Sequence, residues 1–307
     1  MINVGVIGVG SIGQHHARIF SALNDVNLVG IVDADSARGA EIASKYRCRA
    51  YTGYKEMLDS VDAVSIAVPT TLHFQIGMEC LKHDKSILVE KPVTTTLEEA
   101  DRLISEAEKR NLTFQVGHLE RFNSGVSMIS TMVNKPKFIE SQRLSPFLGR
   151  GVDVDVTLDL MIHDIDIILS LVNSEIADIR ATGARVLTEN IDIAHAWIEF
   201  KNGCIAESVS SRIARGKKRR LKVFQHNAYI DLDYQSQEIT CYLKKNGSVG
   251  KEIKKPEEKE PLKEQLISFI DCIKNKSRPL VSGHEGKEAL KVVLKISEIV
   301  NKHQLSI

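Results

Sequence analysis

Asp159, His163 and Asp166 have the types and the spacing to move a proton. They fall at i, i+4 and i+7, on one face, if Asp155-Val-Thr-Leu-Asp-Leu-Met-Ile-His-Asp-Ile-Asp166 is helical. The rest of that segment is apolar nearly all round, with Leu158, Leu160, Met161, Ile162, Ile165, Ile167 and Ile168. A narrow polar stripe on a buried helix needs partners or a cavity. Flanking carboxylates fix the tautomer of an imidazole, which suits a general base taking a proton from an alcohol. Two other readings stay open: a divalent-ion site and a buried structural network. No companion ligand cluster is evident, so no metal is expected. A further candidate is Lys91 in Glu90-Lys-Pro92, after the apolar run Ser86–Val89. A lysine at a strand end, partly withdrawn from water, can take up a proton or orient a hydroxyl. The plainer alternative is a lysine that caps a sheet edge. The isomer of the Lys91–Pro92 bond is not legible.

Chemistry at Lys91 needs a reactant beside it, and the N-terminus supplies a binding motif. Ile2-Asn-Val-Gly-Val-Ile-Gly8-Val-Gly10-Ser11-Ile12-Gly13 reads as a buried strand, a glycine turn and the first turn of a helix. Asp33 follows Gly13 by twenty residues, at the end of the apolar run Val26–Val32. Strand, glycines, helix and acid together form the dinucleotide-binding fingerprint. Gly8 allows the tight turn, Gly10 admits a pyrophosphate to the backbone, and Gly13 permits close helix–strand packing. Ser11 and Ile12 complete the loop, and the pyrophosphate would sit on the helix N-terminus. Asp33 would accept from the adenosine ribose hydroxyls. Its charge repels a 2′-phosphate, so NAD is expected over NADP. Arg38, nearby, reads as a solvated helix residue.

The elements that must position these residues alternate strand and helix up to residue 118. Strands are expected at Ile2–Gly8, Leu28–Asp33, Ala63–Val68, Ser86–Val89 and Thr113–Val116, with helices at Ile12–Leu23, Ala37–Tyr46, Leu72–His83 and Leu97–Arg110. Apolar runs without alternation suit parallel strands covered on both faces, hence a doubly wound α/β sheet. Ligands bind at the carboxyl ends of such strands. Glu90, Lys91, Pro69, Thr70 and His73 lie at those ends and are cofactor-site candidates.

After Gly117 the pattern changes. Helices are expected at Ser124–Val133 and Val156–Val172, and strand-like stretches at Phe138–Phe147, Ile179–Leu187, Ile193–Phe200, Cys204–Arg212, Leu221–Gln225, Ala228–Leu232 and Glu238–Leu243. Successive strands without intervening helices imply an open, largely antiparallel sheet. Asn246-Gly247 suits a hairpin tip. The charged stretch Lys251–Lys263 reads as a solvated connection, and helices near Glu264–Asn275 and Gly286–Lys302 close the chain. The expected layout is a dinucleotide-binding domain over residues 1–118 and a substrate-binding and oligomerisation domain over 119–307. Arg121 and Asn123, beside the domain junction, are candidates for a polar substrate or for hinge packing. Arg143 and Arg150 are candidates for a substrate phosphate or for surface ion pairs. His15 and His16 read as surface and packing residues. Arg215-Gly-Lys-Lys-Arg-Arg220 reads as a solvated turn, because no aromatics are interleaved with its charges.

Composition excludes several classes. Lys plus Arg total 41 and Asp plus Glu 40, so no net charge steers the chain to nucleic acid or membrane. There is no apolar run of ~18 residues, so no membrane span is expected. The first residues form a strand rather than a basic-then-apolar signal. Five cysteines, at positions 48, 80, 204, 241 and 272, show no paired spacing, which fits a reducing cytoplasm.

With these residues in view, the chain resembles the Gfo/Idh/MocA oxidoreductases over essentially its whole length. Gly8-Val-Gly10-Ser-Ile-Gly13, Glu90-Lys91-Pro92 and the Asp159–His163 pair carry the resemblance. It implies a Rossmann domain followed by an α/β domain with an open antiparallel sheet. It also implies hydride transfer from a secondary alcohol of a sugar or cyclitol to a nicotinamide, with Lys91, Asp159 and His163 as the catalytic group. Dimers or tetramers built through the open sheet are implied as well. Val116-Gly-His-Leu-Glu-Arg-Phe-Asn123 and the Asp155–Asp166 segment look like the UDP-N-acetylglucosamine 3-dehydrogenase branch, whose 3-keto product goes to a partner aminotransferase. Many relatives place glycines where this chain has Asp153-Val-Asp155-Val-Thr157, which implies a different pocket entrance. Two alternatives stand beside the nucleotide-sugar reading: a dehydrogenase of a free sugar or inositol, and a dinucleotide-binding sensor without turnover.

Overall fold

The computed structural model describes residues 1–149 and 152–304, apart from the side chains of residues 245, 303 and 304. It divides into two compact units, Met1–Leu119 with Leu262–Lys287, and Glu120–Pro261 with Glu288–Ile307. In the first unit six strands form a parallel sheet: β1 (Ile2–Ile7), β2 (Val26–Val32), β3 (Arg49–Tyr51), β4 (Ala63–Ile66), β5 (Ser86–Val89) and β6 (Phe114–Val116). The helices between them are α1 (Gly13–Ala22), α2 (Ser36–Tyr46), α3 (Tyr54–Leu58), α4 (His73–Lys82) and α5 (Leu97–Lys109). The strand order is β3-β2-β1-β4-β5-β6. It reverses between β1 and β4, so the loops after these strands flank the crevice where doubly wound sheets bind ligands. Every residue of β4 and β5 is buried, as non-alternating apolar runs require. The short elements β3 and α3 carry too little periodicity to be read from the sequence.

The first stretch of the first unit ends at Leu119, beside the expected boundary at 118, but the chain returns to that unit over Leu262–Lys287. There α8 (Pro261–Asn275) buries Leu262, Leu266, Phe269 and Ile270 in one core with Val4, Val6, Phe20 and Leu28. Gln115 Nε2 donates to the Gln265 carbonyl at 2.9 Å, and the Val116 amide donates to the Val281 carbonyl at 2.9 Å. The free edge of β6 is thereby covered, and its backbone groups are satisfied. The start of α9 (Gly283–Gln304) approaches the same strand at Gly286, where a Cβ would stand 2.8 Å from a Val116 methyl.

The second unit holds α6 (Ser124–Met132), α7 (Ile162–Val172) and an eight-stranded sheet. Its strands are β7 (Phe138–Leu144), β8 (Ile176–Ala184), β9 (Ile193–Phe200), β10 (Ile205–Ser211), β11 (Lys218–Gln225), β12 (Ala228–Asp233), β13 (Glu238–Lys245) and β14 (Ser248–Lys254). They stand in the order β14-β13-β12-β11-β7-β10-β9-β8, antiparallel except for β7 with β10. Small residues at alternate positions, Ser141, Ala194, Ala196, Ala206 and Ser208, make one face buried. On the other face Trp197, Phe138, Phe224, Tyr229 and Tyr242 form a run of ring contacts with centroids 4.8–5.9 Å apart. Two readings change here. Of the charged stretch Lys251–Lys263, the first four residues belong to the edge strand β14, nearly all exposed and therefore without a buried face to pattern it, while residues 255–260 are a connection without regular structure. Lys218, Arg219 and Arg220 lie on β11, so half of the basic run is strand rather than turn.

The expected single helix over 156–172 is a π-helical turn, Thr157–Met161, continued by α7. The chain entering that turn is tied to the loop before β9. The Ile191 amide donates to Asp155 Oδ1 at 2.9 Å, Asn190 Nδ2 donates to the Val152 carbonyl at 2.8 Å, and Arg212 donates to the Val154 carbonyl. Asp192, fully buried, organises that loop by accepting from the amides of Val186, Leu187 and Thr188 and from the Thr188 hydroxyl. Burial opposes its charge, but these donors win and hold its pKa down to about 2. A carboxyl depressed in the folded state contributes stability in full above its ordinary value and loses it as pH falls through the folded one. Asp192→Asn should therefore lower the urea midpoint at neutral pH, with the gap to the parent closing between about pH 4 and pH 2. Denaturation curves at stepped pH check this; a gap that persists at the acid end would contradict it.

Candidate active site

In the first unit the loop after β1 forms a cradle for a phosphate anion. Gly8 has φ of +84°, and a Cβ at Gly13 would overlap the Gly8 carbonyl oxygen. A Cβ at Gly10 would meet nothing within 4 Å, so its surface is open. No side chain caps α1, and its first turn holds no acid, so the positive end of the helix is left for an anion. Ser11 is exposed and Ile12 is half-buried in that turn. Asp33 receives the Val9 amide on Oδ2 at 2.7 Å and the Asp35 amide on Oδ1 at 2.9 Å. Each oxygen keeps a further acceptor site, so the carboxylate both ties the loop to β2 and can receive a ribose diol. These features fit a dinucleotide.

Pro69 and Thr70 follow β4, with Thr70 opening a short 3₁₀ turn. His73 is buried and sets both ring nitrogens on carbonyl oxygens, of Pro92 and Val68, each at 2.9 Å. Burial pushes its pKa down, against those carbonyls and the charge of Glu90. It pins the loops after β4 and β5 together, with both ring nitrogens directed at protein carbonyls. Lys91 is half-buried just past β5, and its bond to Pro92 is cis. Glu90 is buried beside Gly117 at the end of β6.

In the second unit Asp159 lies on the π turn and His163 on the first turn of α7, both half-buried. Such turns displace side chains from the regular helical positions and recur at functional sites. Asp166 does not share their setting: it is buried, with Arg121 Nη1 at 3.3 Å from its Oδ1. The polar stripe is thus partly half-buried and partly internal. Behind it Arg143 is fully buried and bidentate on Asp164, with Nε to Oδ2 at 2.8 Å and Nη2 to Oδ1 at 3.1 Å. Its Nη1 donates to Glu120 at 2.9 Å, and the Tyr234 ring lies 5.2 Å from the guanidinium carbon. Burial disfavours the charge on Arg143, yet attraction to Asp164 and Glu120 prevails and raises its pKa. Burial first, and then the Asp164 carboxylate, push the Tyr234 phenol far up.

The expectation of Arg143 as a ligand for a substrate phosphate is corrected by the structure: its nitrogens are spent on carboxylates. Asn123 is likewise internal, capping α6 through the Gly125 amide and donating to the Tyr234 carbonyl at 3.1 Å. Arg150 lies outside the described residues. Glu120 and Asp164 are not singled out by the sequence, because nothing local marks which carboxylates a distant arginine will reach. Among the described residues no group of three or more His, Cys, Asp or Glu is arranged to hold a metal, and no helix is long and apolar enough to cross a membrane.

Comparison with known proteins agrees with this geometry. A model of the oxidoreductase family with an NAD-binding Rossmann fold, GFO_IDH_MocA, matches residues 2–118, and the GFO/IDH/MocA C-terminal domain matches residues 128–231. UDP-N-acetylglucosamine 3-dehydrogenase of Acidithiobacillus ferrooxidans is 33% identical, over 96% of each chain. Its solved structure superposes with a TM-score of 0.93 over 97% of each chain. Myo-inositol 2-dehydrogenase of Thermotoga maritima is 27% identical over 94% of this chain and 93% of its own. The glycine cradle, the Glu90-Lys91-Pro92 strand end and the Asp159–His163 turn thus belong to a member of the Gfo/Idh/MocA family of NAD-binding oxidoreductases.

Proposed function

We propose that this enzyme oxidises the 3-hydroxyl of UDP-N-acetylglucosamine with NAD, giving a 3-keto nucleotide sugar. The observation that carries the reading is the half-buried pair of Asp159 on the π turn and His163 at the start of α7, in a chain 33% identical to such an enzyme over 96% of its length. Bound NAD supplies the hydride acceptor. His163 takes the proton of the substrate hydroxyl, Lys91 hydrogen-bonds the same oxygen, and Asp159 orients one of these two bases. Asp33 selects NAD by repelling a 2′-phosphate. Arg121, at the rim of the buried network, and Arg150 are the cations assigned to the diphosphate. The product is suited to a partner aminotransferase in the cytoplasm.

A second reading, a free sugar or inositol as substrate, is favoured by the 27% identity to the inositol enzyme. A sensor without turnover is disfavoured, because Lys91, Asp159 and His163 are all in place. The aromatic run on the outer sheet face is assigned to pairing with a second copy of this chain, giving a dimer or a tetramer.

Four measurements test these assignments. Titration of the unmodified protein should show NAD binding at least about tenfold more tightly than NADP, and Asp33→Ser should narrow that gap. Equal affinities would remove Asp33 from the selecting role. Incubation with UDP-N-acetylglucosamine, NAD, glutamate and an aminotransferase should yield a 3-amino nucleotide sugar by mass spectrometry. Lys91→Met and His163→Asn should each cut the rate by roughly 10²–10⁴-fold, and the double variant should fall far short of the product of the two losses. Ready oxidation of inositol or a free hexose with no nucleotide-sugar product would replace the leading reading with the second. In light scattering the parent should run as a dimer or larger, and Phe224→Asp with Tyr229→Asp should shift it toward monomer. A monomeric parent would dismiss the sheet-face pairing.

A further inference from the structure

His16 is a buried titratable group that the mechanism above does not use. It lies on α1, three residues past the last glycine of the cradle, and its side chain is 0% exposed. Its Nδ1 is 2.6 Å from the Ser65 hydroxyl oxygen on β4, and its Nε2 is 3.4 Å from Glu90 Oε1. That carboxylate also packs on Gly117, where a Cβ would stand 2.6 Å from Oε1 and 2.8 Å from Oε2. The sheet therefore contains a compartment shaped for one carboxylate, closed by a glycine, with an imidazole aimed into it. A neutral imidazole has one N–H and one lone pair. When the Ser65 hydroxyl donates to Nδ1, the ring hydrogen is on Nε2, toward Glu90.

We propose that His16 is a positioning residue that keeps the Glu90 carboxylate ionised and fixed next to Lys91, with Ser65 setting the imidazole tautomer. The functional side of this inference rests on Lys91 being part of the proton-handling group. A buried carboxyl without a partner takes up a proton rather than remain charged. Burial alone would raise the pKa of Glu90, yet His16 first and Lys91 after it hold it below the ordinary carboxylate range. The charged and titratable groups acting on Glu90 include His16 from α1 and Lys91 beside it in the chain, and His73 from α4 feels its charge; from the chain leaving β6, Gly117 packs against the carboxylate and is followed by the buried His118. The His16 ring reaches the carboxylate and is wholly shielded from solvent and salt.

The direct test follows the Glu90 carboxyl carbon by NMR in glutamate-labelled protein without cofactor or substrate. In His16→Leu its titration should move up by at least about one pH unit, and Ser65→Ala should move it the same way by less. Turnover supplies a second arm. His16→Leu and Glu90→Gln should each slow the enzyme roughly tenfold or more, and the double variant should be no slower than the worse single one. His16→Gln, whose amide N–H can still face Glu90, should recover most of the rate. An unmoved Glu90 titration in His16→Leu, or losses that multiply in the double variant, would overturn the proposal. If His16→Leu does not fold, the titrations of His16→Gln and Ser65→Ala decide: Glu90 near its parental value in the first and raised in the second upholds the proposal, and any other pair rejects it. The NMR arm needs no substrate, so a wrong sugar assignment would leave its outcome unchanged.

Discussion

Arg143 carries a full positive charge into the core of the second unit, and the placement of the candidate catalytic pair depends on its neutralisation. Withdrawing a guanidinium from water costs several kcal/mol, which only well-placed carboxylates offset. Asp164 takes two of its nitrogens and Glu120 a third. Arg143 on β7 joins two other places in the chain, α7 and the turn at Leu119–Phe122. The geometry of one buried cation thus fixes the rotation of α7, and with it the direction in which His163, one residue before Asp164, is held. Asp192 and its loop do the corresponding work at the entry to the π turn. The polar stripe that looks like one face in the sequence is divided between the buried Asp166 and the half-buried pair Asp159 and His163.

The first unit follows a different constraint, the close approach of backbone. Gly8, Gly13 and Gly117 stand where a Cβ would strike a carbonyl or a carboxylate, and the absent side chains leave room for the cradle and for Glu90. His73, His16 and Asp33 then spend polar atoms on tying strand ends together. A cofactor site built this way is rigid before anything binds, which lowers the ordering cost of binding. The buried carboxylate of Glu90 and the imidazole facing it, His16, both belong to this unit.

Much of the fold is legible in the sequence. Uninterrupted apolar runs identify β1, β2, β4 and β5 as covered strands, and the alternation in β9 and β10 identifies a half-buried sheet. The glycine spacing and Asp33 locate the cradle because their role is local: a turn, a helix start and an acid one strand away. The same local logic finds Lys91 at a strand end and the Asp159–His163 pair. It misses β14, which has no buried face, and the return of α8 to the first unit, since an amphipathic helix does not say which core its apolar stripe will meet. It also reads the segment from Val156 as one helix, because a single extra residue in a turn leaves the apolar content unchanged.

What the sequence determined by itself was the chemistry on offer: a dinucleotide cradle, a lysine at a strand end, an imidazole four residues from a carboxylate, and two sheets of different kind. These follow from residue type and short spacing, which set backbone conformation and periodic burial without reference to distant parts of the chain. Which charged groups would be consumed inside and which left to react was decided by tertiary structure. Arg143, Asn123 and His73 have the composition of site residues and became internal braces, while His16 turned from packing residue into the partner of Glu90. The physical reason is that a buried charge must find its complement through space, and groups far apart in the chain supply it only once the sheets have formed.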